Sequence, residues 1–202
     1  MFNKNNNTFH QIIEVAKMAK VNMPETLPTL IKLLSRPQQT CLNLRALEKN
    51  DSTPFTIGDL FHPMMERCLL EKAKTLPNEG LIVDLADDVV FAWPWSKTRY
   101  LENLDYFSDN NVVWTQDYNH AVVLVMPWRI AFVECGNHSI FSGVVYGKGK
   151  VVPQKVIDAT CLLTKFKTDG DDWIDTESSE KIGQVENYRN AAVFELGRLL
   201  IS

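Results

Sequence analysis

Between an apolar run and a short segment of helical character, the chain reads Glu134-Cys135-Gly136-Asn137-His138-Ser139. Residues 129–133 before it have the pattern of a strand, and residues 140–146 after it predict a helix. Gly136 therefore marks a turn from strand to helix, with Ser139 in the first helical turn. The first N–H groups of such a helix lack partners within it, and the helix dipole is positive there. The stretch therefore predicts a phosphate-binding site.

The residues around this turn predict a mixed sheet with short helices. The turn signal Pro77-Asn78-Glu79-Gly80 separates this part from what precedes it. Two apolar runs, residues 121–126 and 129–135, predict a hairpin around Pro127-Trp128. Further strands are expected at residues 81–85, 89–93 and 112–115 and within 150–152 and 156–166, a helix at 98–107, an acidic loop at 168–176 and a closing helix at 185–200.

The first third of the chain has apolar residues at helical spacing. Pro37 predicts a break between two helices, at residues 26–34 and 38–49. The fold class is therefore α+β. We expect an N-terminal helical segment, residues 1–76, and an α/β core with a C-terminal helix, residues 77–202.

Composition limits the classes of function. The chain has 202 residues, 45% of them hydrophobic, which is enough for a sizeable core. The formal net charge is −4, and no basic block is visible, so strong nonspecific binding to duplex DNA is not indicated. Residues 1–8 lack the apolar core of a signal peptide, and no run has the length of a membrane span. We therefore expect a cytoplasmic protein without membrane insertion.

The cysteines show no framework or metal-site spacing. Cys41, Cys68, Cys135 and Cys161 form no C-x-x-C pair, and each has apolar neighbours in the sequence. We expect buried, unpaired thiols, as in a reducing compartment.

The order of strand, Pro-rich segment with Arg, helix, hairpin, Gly-x-His turn, short helix and strand resembles the ParB/sulfiredoxin fold. In that family a Gly-x-His-Arg or Gly-Glu-Arg-Arg turn leads from a strand into a helix and holds nucleotide phosphates. The matching stretch is Gly136-Asn137-His138-Ser139, and the upstream element is similar to Pro94-Trp95-Ser96-Lys97-Thr98-Arg99. The resemblance covers about residues 81–166.

The chain departs from the family pattern at two positions. Ser139 stands where the family has a second basic residue, so Arg99, Arg129 or Lys148 would have to supply the missing charge. Asn137 stands where sulfiredoxins have their reactive Cys, so reduction of a sulfinic acid is not expected.

The resemblance implies two hypotheses about function. The family includes CTP-hydrolysing partition proteins, ATP-using enzymes, nucleases and small plasmid fertility-inhibition proteins. The last group is close to this chain in size and lacks the DNA-reading helix-turn-helix of partition proteins. The first hypothesis is a nucleotide- or nucleic-acid-phosphate-binding enzyme, an NTPase or DNase, with ATP or CTP as ligand, DNA as a second class of ligand, and Mg as cofactor. The second is a non-catalytic protein that blocks a protein partner, as a fertility-inhibition or immunity-type factor does.

Under the first hypothesis, Glu134 and His138 would be catalytic, as the carboxylate and as an acid–base or phosphate-contacting group. The phosphate would be bound by Gly136, Asn137, Ser139 and Arg99. Structural alternatives remain open for Glu134 on a strand edge, for Asn137 in a left-handed turn, and for His138 donating to a carbonyl. We also expect His138 to be partly exposed, because it opens a helix. The polar stretch Asp117-Tyr118-Asn119-His120 is either a divalent-ion site or a plain loop.

Overall fold

The structure is a computed structural model that describes residues 4–49 and 51–202. Its helices are α1 (Lys4–Asn22), a 3₁₀ turn (Pro24–Thr26), α2 (Leu27–Glu48), α3 (Ile57–Leu60), α4 (Pro63–Lys72), α5 (Lys97–Ser108), α6 (Asn137–Tyr146), α7 (Thr160–Lys165) and α8 (Tyr188–Ile201). Its strands are β1 (Lys74–Leu76), β2 (Val83–Asp84), β3 (Val89–Phe91), β4 (Ala121–Met126), β5 (Ile130–Cys135), β6 (Lys150–Val151), β7 (Lys155–Asp158), β8 (Phe166–Thr168), β9 (Asp172–Asp175) and β10 (Lys181–Gln184). The predicted α+β class with a mixed sheet is confirmed.

The main sheet has five strands in the order β1-β7-β4-β5-β3. Strands β4 and β5 form the predicted antiparallel hairpin, whereas β3 pairs with β5, and β7 with β4, in parallel. Two small sheets, β10-β9-β8 and β2-β6, accompany it. Because β3 and β5 are parallel, their carboxyl ends lie at one edge of the sheet. At this edge β3 leads into residues 94–99, called here the Pro94 segment, and β5 leads into the Gly136 turn.

Helices α1, α2 and α8 pack on one another beside the main sheet. Helix α2 is continuous through Pro37, so the predicted break there is wrong. Proline removes one backbone hydrogen bond. The buried residues Ile31, Leu42 and Ala46 lie on both sides of Pro37 and hold both halves of the helix against the core.

An aromatic cluster joins distant parts of the chain. Phe194 of α8 contacts the rings of Phe61, Trp128 and Trp173, with centroid distances of 5.1, 5.8 and 5.2 Å. The Trp128 indole N–H also donates to Val193 O at 2.8 Å. These contacts tie the β4–β5 turn and the small β8–β10 sheet to the last helix.

Three further expectations differ from the structure, and one is met only in part. Residues 74–76 form strand β1 in the main sheet and are not helical. Residues 112–115 form no strand, because buried Trp114 packs on His120 and its indole N–H donates to Ser139 O. The strand expected within residues 156–166 is present in β7 and at the start of β8, but the same run also contains helix α7, since apolar runs alone do not separate helix from strand. The acidic loop contains strand β9, whose inward-facing Trp173 is buried.

Within the described ranges, no helix combines the length and the apolar composition that crossing a bilayer requires. Cys68 is buried and Cys161 half-buried, but Cys41 and Cys135 are exposed, so the expected burial of all four thiols is wrong. All four are free thiols. Apolar residues occur in the same helix or strand as Cys41 and Cys135, but the position of each cysteine on that element decides the exposure of its side chain.

Candidate functional site

The strand-to-helix turn lies where the sequence predicts it. Gly136 follows β5 directly, has a φ of 81°, and precedes Asn137, the first residue of α6. A Cβ atom at Gly136 would lie 2.5 Å from His120 Cδ2 and 2.9 Å from Asn119 O. Both the backbone conformation and the close approach of residues 119–120 therefore require glycine here. Ser139 lies in the first turn of α6, as predicted.

The N-terminus of α6 is at the wall of an open cleft of about 840 Å³. Gly136 has no side chain to cap the helix, and no side chain accepts a cap hydrogen bond there. The first N–H groups of α6 are therefore left for water or a ligand. Every predicted site residue lines this cleft: Arg99, Glu134, Gly136, Asn137, His138 and Ser139.

Asn137 is 6% exposed, and its side chain bridges two chain segments. Its Oδ1 accepts a hydrogen bond from Trp93 N at 2.9 Å, which fixes the segment that follows β3. The Asn137 carboxamide oxygen is therefore occupied within the protein. Binding of a ligand by Asn137 stays a prediction that rests on its Nδ2 and its backbone N–H.

His138 has a similar bridging position. It is 8% exposed, so the expectation of partial exposure is wrong. Ser96 N donates to its Nε2 at 3.0 Å, and the Trp95 ring packs edge-to-face on the imidazole at 5.2 Å. Burial and then the charge of Arg99 lower the pKa of His138. The imidazole is therefore neutral near pH 7 and, because Nε2 accepts, carries its proton on Nδ1.

Replacing His138 with Ala should destabilise the protein by about 1–3 kcal/mol, because a buried imidazole is removed and the part-buried Ser96 N–H loses its acceptor. Chemical denaturation measures this loss. Ser139→Ala is the matched control from the next residue and should change stability by no more than about 0.5 kcal/mol. Equal stability of His138→Ala and the wild type would show that this hydrogen bond does not hold the Pro94 segment.

Arg99 is the only cationic side chain among the described residues that line the cleft. Its guanidinium lies over the Trp95 ring, 5.6 Å from the centroid, at the start of α5. Arg129 forms a two-point ion pair with Asp88, at 2.9 and 3.0 Å. Lys148 donates to two backbone carbonyls. Of the three residues that could replace the missing family charge, only Arg99 lines the cleft.

Acidic side chains outnumber the one basic side chain in the lining of the cleft. Glu134 is exposed at the end of β5, and Glu102 and Asp117 also line the cleft. One Arg against three carboxylates gives a formal charge of −2. Among the described residues, no three Asp, Glu, His or Cys side chains are close enough to hold a metal ion. The carboxylates therefore do not form a cation cage without a ligand.

Two further side chains in the cleft carry reactive groups that the predicted site did not include. His120 is buried, and its Nδ1 accepts a hydrogen bond from Asp117 N at 2.9 Å, so its proton is on Nε2. Burial lowers the pKa of His120. The negative charge of Asp117 acts in the opposite direction but is the smaller effect. Cys135 lines the cleft with an exposed side chain. Of these two, only His120 carried a signal in the sequence, in its polar stretch; Cys135 carried none.

Stability should fall as the pH drops through the range from about 7 to 5.5. Burial lowers the pKa values of His62, His120 and His138, so these side chains stay neutral in the folded protein below their ordinary pKa near 6.5. The unfolded chain takes up protons there, and uptake by the unfolded state lowers the free energy of unfolding. Urea titrations at several pH values measure the slope. His120→Gln should make it shallower, and a slope of opposite sign would contradict the neutral assignment.

Comparison with known proteins gives one family. No curated protein and no solved structure matches this chain. The profile of a family of unknown function, DUF6710, matches residues 1–202. Because this match extends over the whole sequence, the chain belongs to the DUF6710 family.

Proposed function

We propose that the cleft binds the phosphate of a nucleotide, or of a nucleic-acid end, at the N-terminus of α6. The observation that carries this proposal is the uncapped start of a ten-residue helix at the wall of an open cleft, with Arg99 in the same lining. Unpaired helical N–H groups, the helix dipole and a guanidinium together favour an anion. Tyr106, 62% exposed in the same lining, offers a ring on which a base can stack.

The charge of the cleft indicates how such a ligand would bind. A triphosphate alone would be repelled by Glu102, Asp117 and Glu134, since one guanidinium does not offset three carboxylates. A magnesium ion suits the site as part of a metal–nucleotide complex, because Mg²⁺ is usually held by one or two carboxylates together with phosphate oxygens. We therefore propose that nucleotide binding depends on Mg²⁺ and that the carboxylates of Glu134 and Asp117 are the protein ligands of this ion.

The proposal assigns different roles to the residues of the turn. Gly136, Ser139 and the backbone N–H groups of α6 contact phosphate, and Arg99 neutralises its charge. Asn137 and His138 position the segment that carries Trp95 and Arg99, because each side chain already binds a backbone N–H of that segment. Glu134 is our proposed carboxylate for water activation in an NTPase or nuclease, because it is exposed in the cleft and adjacent to the turn.

The strand–Gly–helix turn and the parallel β3–β5 pair support the proposal of a ParB/sulfiredoxin-like core. This support comes from the turn and from one strand pair. The proposal does not rest on the order of the whole sheet, β1-β7-β4-β5-β3. We propose a cytoplasmic setting for the same activity, for which the four free thiols are suitable.

Arg99→Ala should weaken nucleotide binding about ten- to hundredfold, because a charge-assisted phosphate contact is lost. The measurement is calorimetric titration with ATP, CTP, their monophosphates and a 5′-phosphorylated DNA oligonucleotide, each with and without MgCl₂. Lys97→Ala is the matched control: Lys97 is a cation two residues earlier on α5 and does not line the cleft.

The Lys97→Ala variant should bind as the wild type does. Binding that is equally weak in both variants would indicate a general effect of net charge rather than a contact in the cleft. No saturable binding of any of these phosphates by the wild type, with or without Mg²⁺, would contradict the proposal.

A non-catalytic interaction protein is the second candidate. The excess of carboxylates in the cleft favours it, as do the exposed rings of Trp95 and Tyr106 in the lining. Tyr118, which is 94% exposed, stands in the sequence between the lining residues Asp117 and Asn119. Exposed aromatic rings beside acidic groups suit a protein partner with basic residues. This candidate predicts that Trp95→Ala and Tyr106→Ala disrupt a complex with another protein while nucleotides have no effect on it.

A further inference from the structure

A second cavity, of about 270 Å³, shares no lining residue with the cleft at α6. It lies between α2, α3, β9 and the start of α8. Its lining consists of Gln38, Asp59, Leu60, Phe61, Trp173, Glu186, Asn187 and Asn190. Among these described residues none is Lys, Arg or His, so the lining carries a formal charge of −2.

Asn190 supplies the feature that points to a ligand. It is 6% exposed, lines the cavity, and its Oδ1 has no hydrogen-bond partner among the described residues. A buried amide oxygen without a partner is costly in free energy, and it can only accept a hydrogen bond. An N–H or O–H donor bound in the cavity would satisfy this oxygen.

The carboxylates of Asp59 and Glu186 indicate that a donor in this cavity carries a positive charge. Asp59 uses its Oδ2 for the Thr56 cap of α3, with a hydrogen bond of 2.8 Å from Thr56 N, so its other oxygen remains for a ligand. Glu186 is exposed at the rim, one residue before the N-cap of α8. Both carboxylates favour a cation over a neutral donor.

The remaining wall favours an organic cation over a metal ion. It contains the amides of Gln38 and Asn187 and the apolar residues Leu60, Phe61 and Trp173, whereas a hard cation without its water shell requires six or more oxygen ligands. An alkyl chain can contact this wall while its ammonium group contacts Asn190 and the carboxylates. We infer that this cavity is a binding site for a small organic cation with a primary ammonium group, separate from the phosphate site proposed above.

The probes for this site are n-butylammonium and 1,4-diaminobutane, titrated into the full chain and followed by ¹H–¹⁵N NMR spectra. Saturable shifts at the side-chain amide of Asn190 and the indole of Trp173 are expected, and 1-butanol of matched size should give none. Asn190→Leu should weaken binding about ten- to hundredfold and leave the melting temperature unchanged or higher, because an unsatisfied polar atom is removed.

Glu186→Gln tests the charge without touching the buried amide and should weaken binding by about threefold or more. Absence of saturable shifts with either amine would overturn the inference, leaving a water molecule as the partner of Asn190. Equal binding by the wild type and both variants would overturn it as well, as would saturation by K⁺ or Mg²⁺ but not by the amines. None of these outcomes depends on nucleotide binding at α6.

Discussion

Phe194→Ala should destabilise the protein by about 3–5 kcal/mol, one of the largest effects expected for a single substitution. Phe194 is fully buried in α8 and contacts the rings of Phe61, Trp128 and Trp173. Its removal leaves a cavity between elements that are far apart in sequence. For a chain of about this length, the loss corresponds to a melting temperature lower by roughly 6–20 °C.

Ile201→Ala is the control on the same helix. Ile201 is 49% exposed at the last helical position, so its truncation should cost no more than about 1 kcal/mol. Differential scanning calorimetry provides both values and shows whether unfolding remains a single transition. Equal effects of the two substitutions would mean that the aromatic cluster does not join α8 to the rest of the fold.

Gly136→Ala should destabilise the protein by about 2–4 kcal/mol and distort the cleft. A left-handed backbone conformation costs a non-glycine residue about 1–2 kcal/mol. The added Cβ would also lie 2.5 Å from buried His120 and 2.9 Å from a backbone oxygen, so residues 119–120 would have to move. Urea denaturation measures the stability. The near-UV circular dichroism, to which Trp114 on His120 contributes, should change with the movement, and a Trp114→Phe background shows how much of the change comes from that ring.

Gly80→Ala separates the cost of the left-handed backbone from the cost of the close contact with residues 119–120. Gly80 has a φ of 75°, close to that of Gly136, but a Cβ there would meet nothing within 4 Å. Its substitution should cost only the backbone part, about 1–2 kcal/mol. If the two substitutions cost the same, the close approach of residues 119–120 to Gly136 contributes nothing.

The strand–glycine–helix turn could be predicted because its signals are local. An apolar run that ends at Gly136 requires only the neighbouring residues to form β5 and the left-handed turn. The start of α6 at Asn137, earlier than the predicted helical segment, also follows from Gly136, since the left-handed residue itself is the N-cap. Pro37 was misleading for the opposite reason. The hydrogen bond that Pro37 removes from α2 costs free energy, but burial of α2 residues on both sides of Pro37 outweighs this cost. The sequence alone does not show the tertiary contacts that bury them.

The roles of Asn137 and His138 could not be predicted from the turn alone. Their hydrogen-bond partners, Trp93 N and Ser96 N, are more than 40 residues earlier in the chain and come close only because β3 and β5 pair in parallel. The burial of His138 depends on that same segment. The charge of the cleft was equally hidden, because Glu102 and Asp117 join Glu134 only in the folded protein.

The exposed thiols permit the most direct measurement of the central claim, that a phosphate ligand occupies the cleft at α6. Cys135 lines the cleft, and Cys41 is exposed on α2 outside it. Iodoacetamide alkylation followed by mass spectrometry measures both rates in one sample. With ATP or CTP and Mg²⁺ at ten times the dissociation constant, alkylation of Cys135 should slow about tenfold, while that of Cys41 stays constant. Unchanged alkylation of Cys135 at saturating nucleotide would contradict the account.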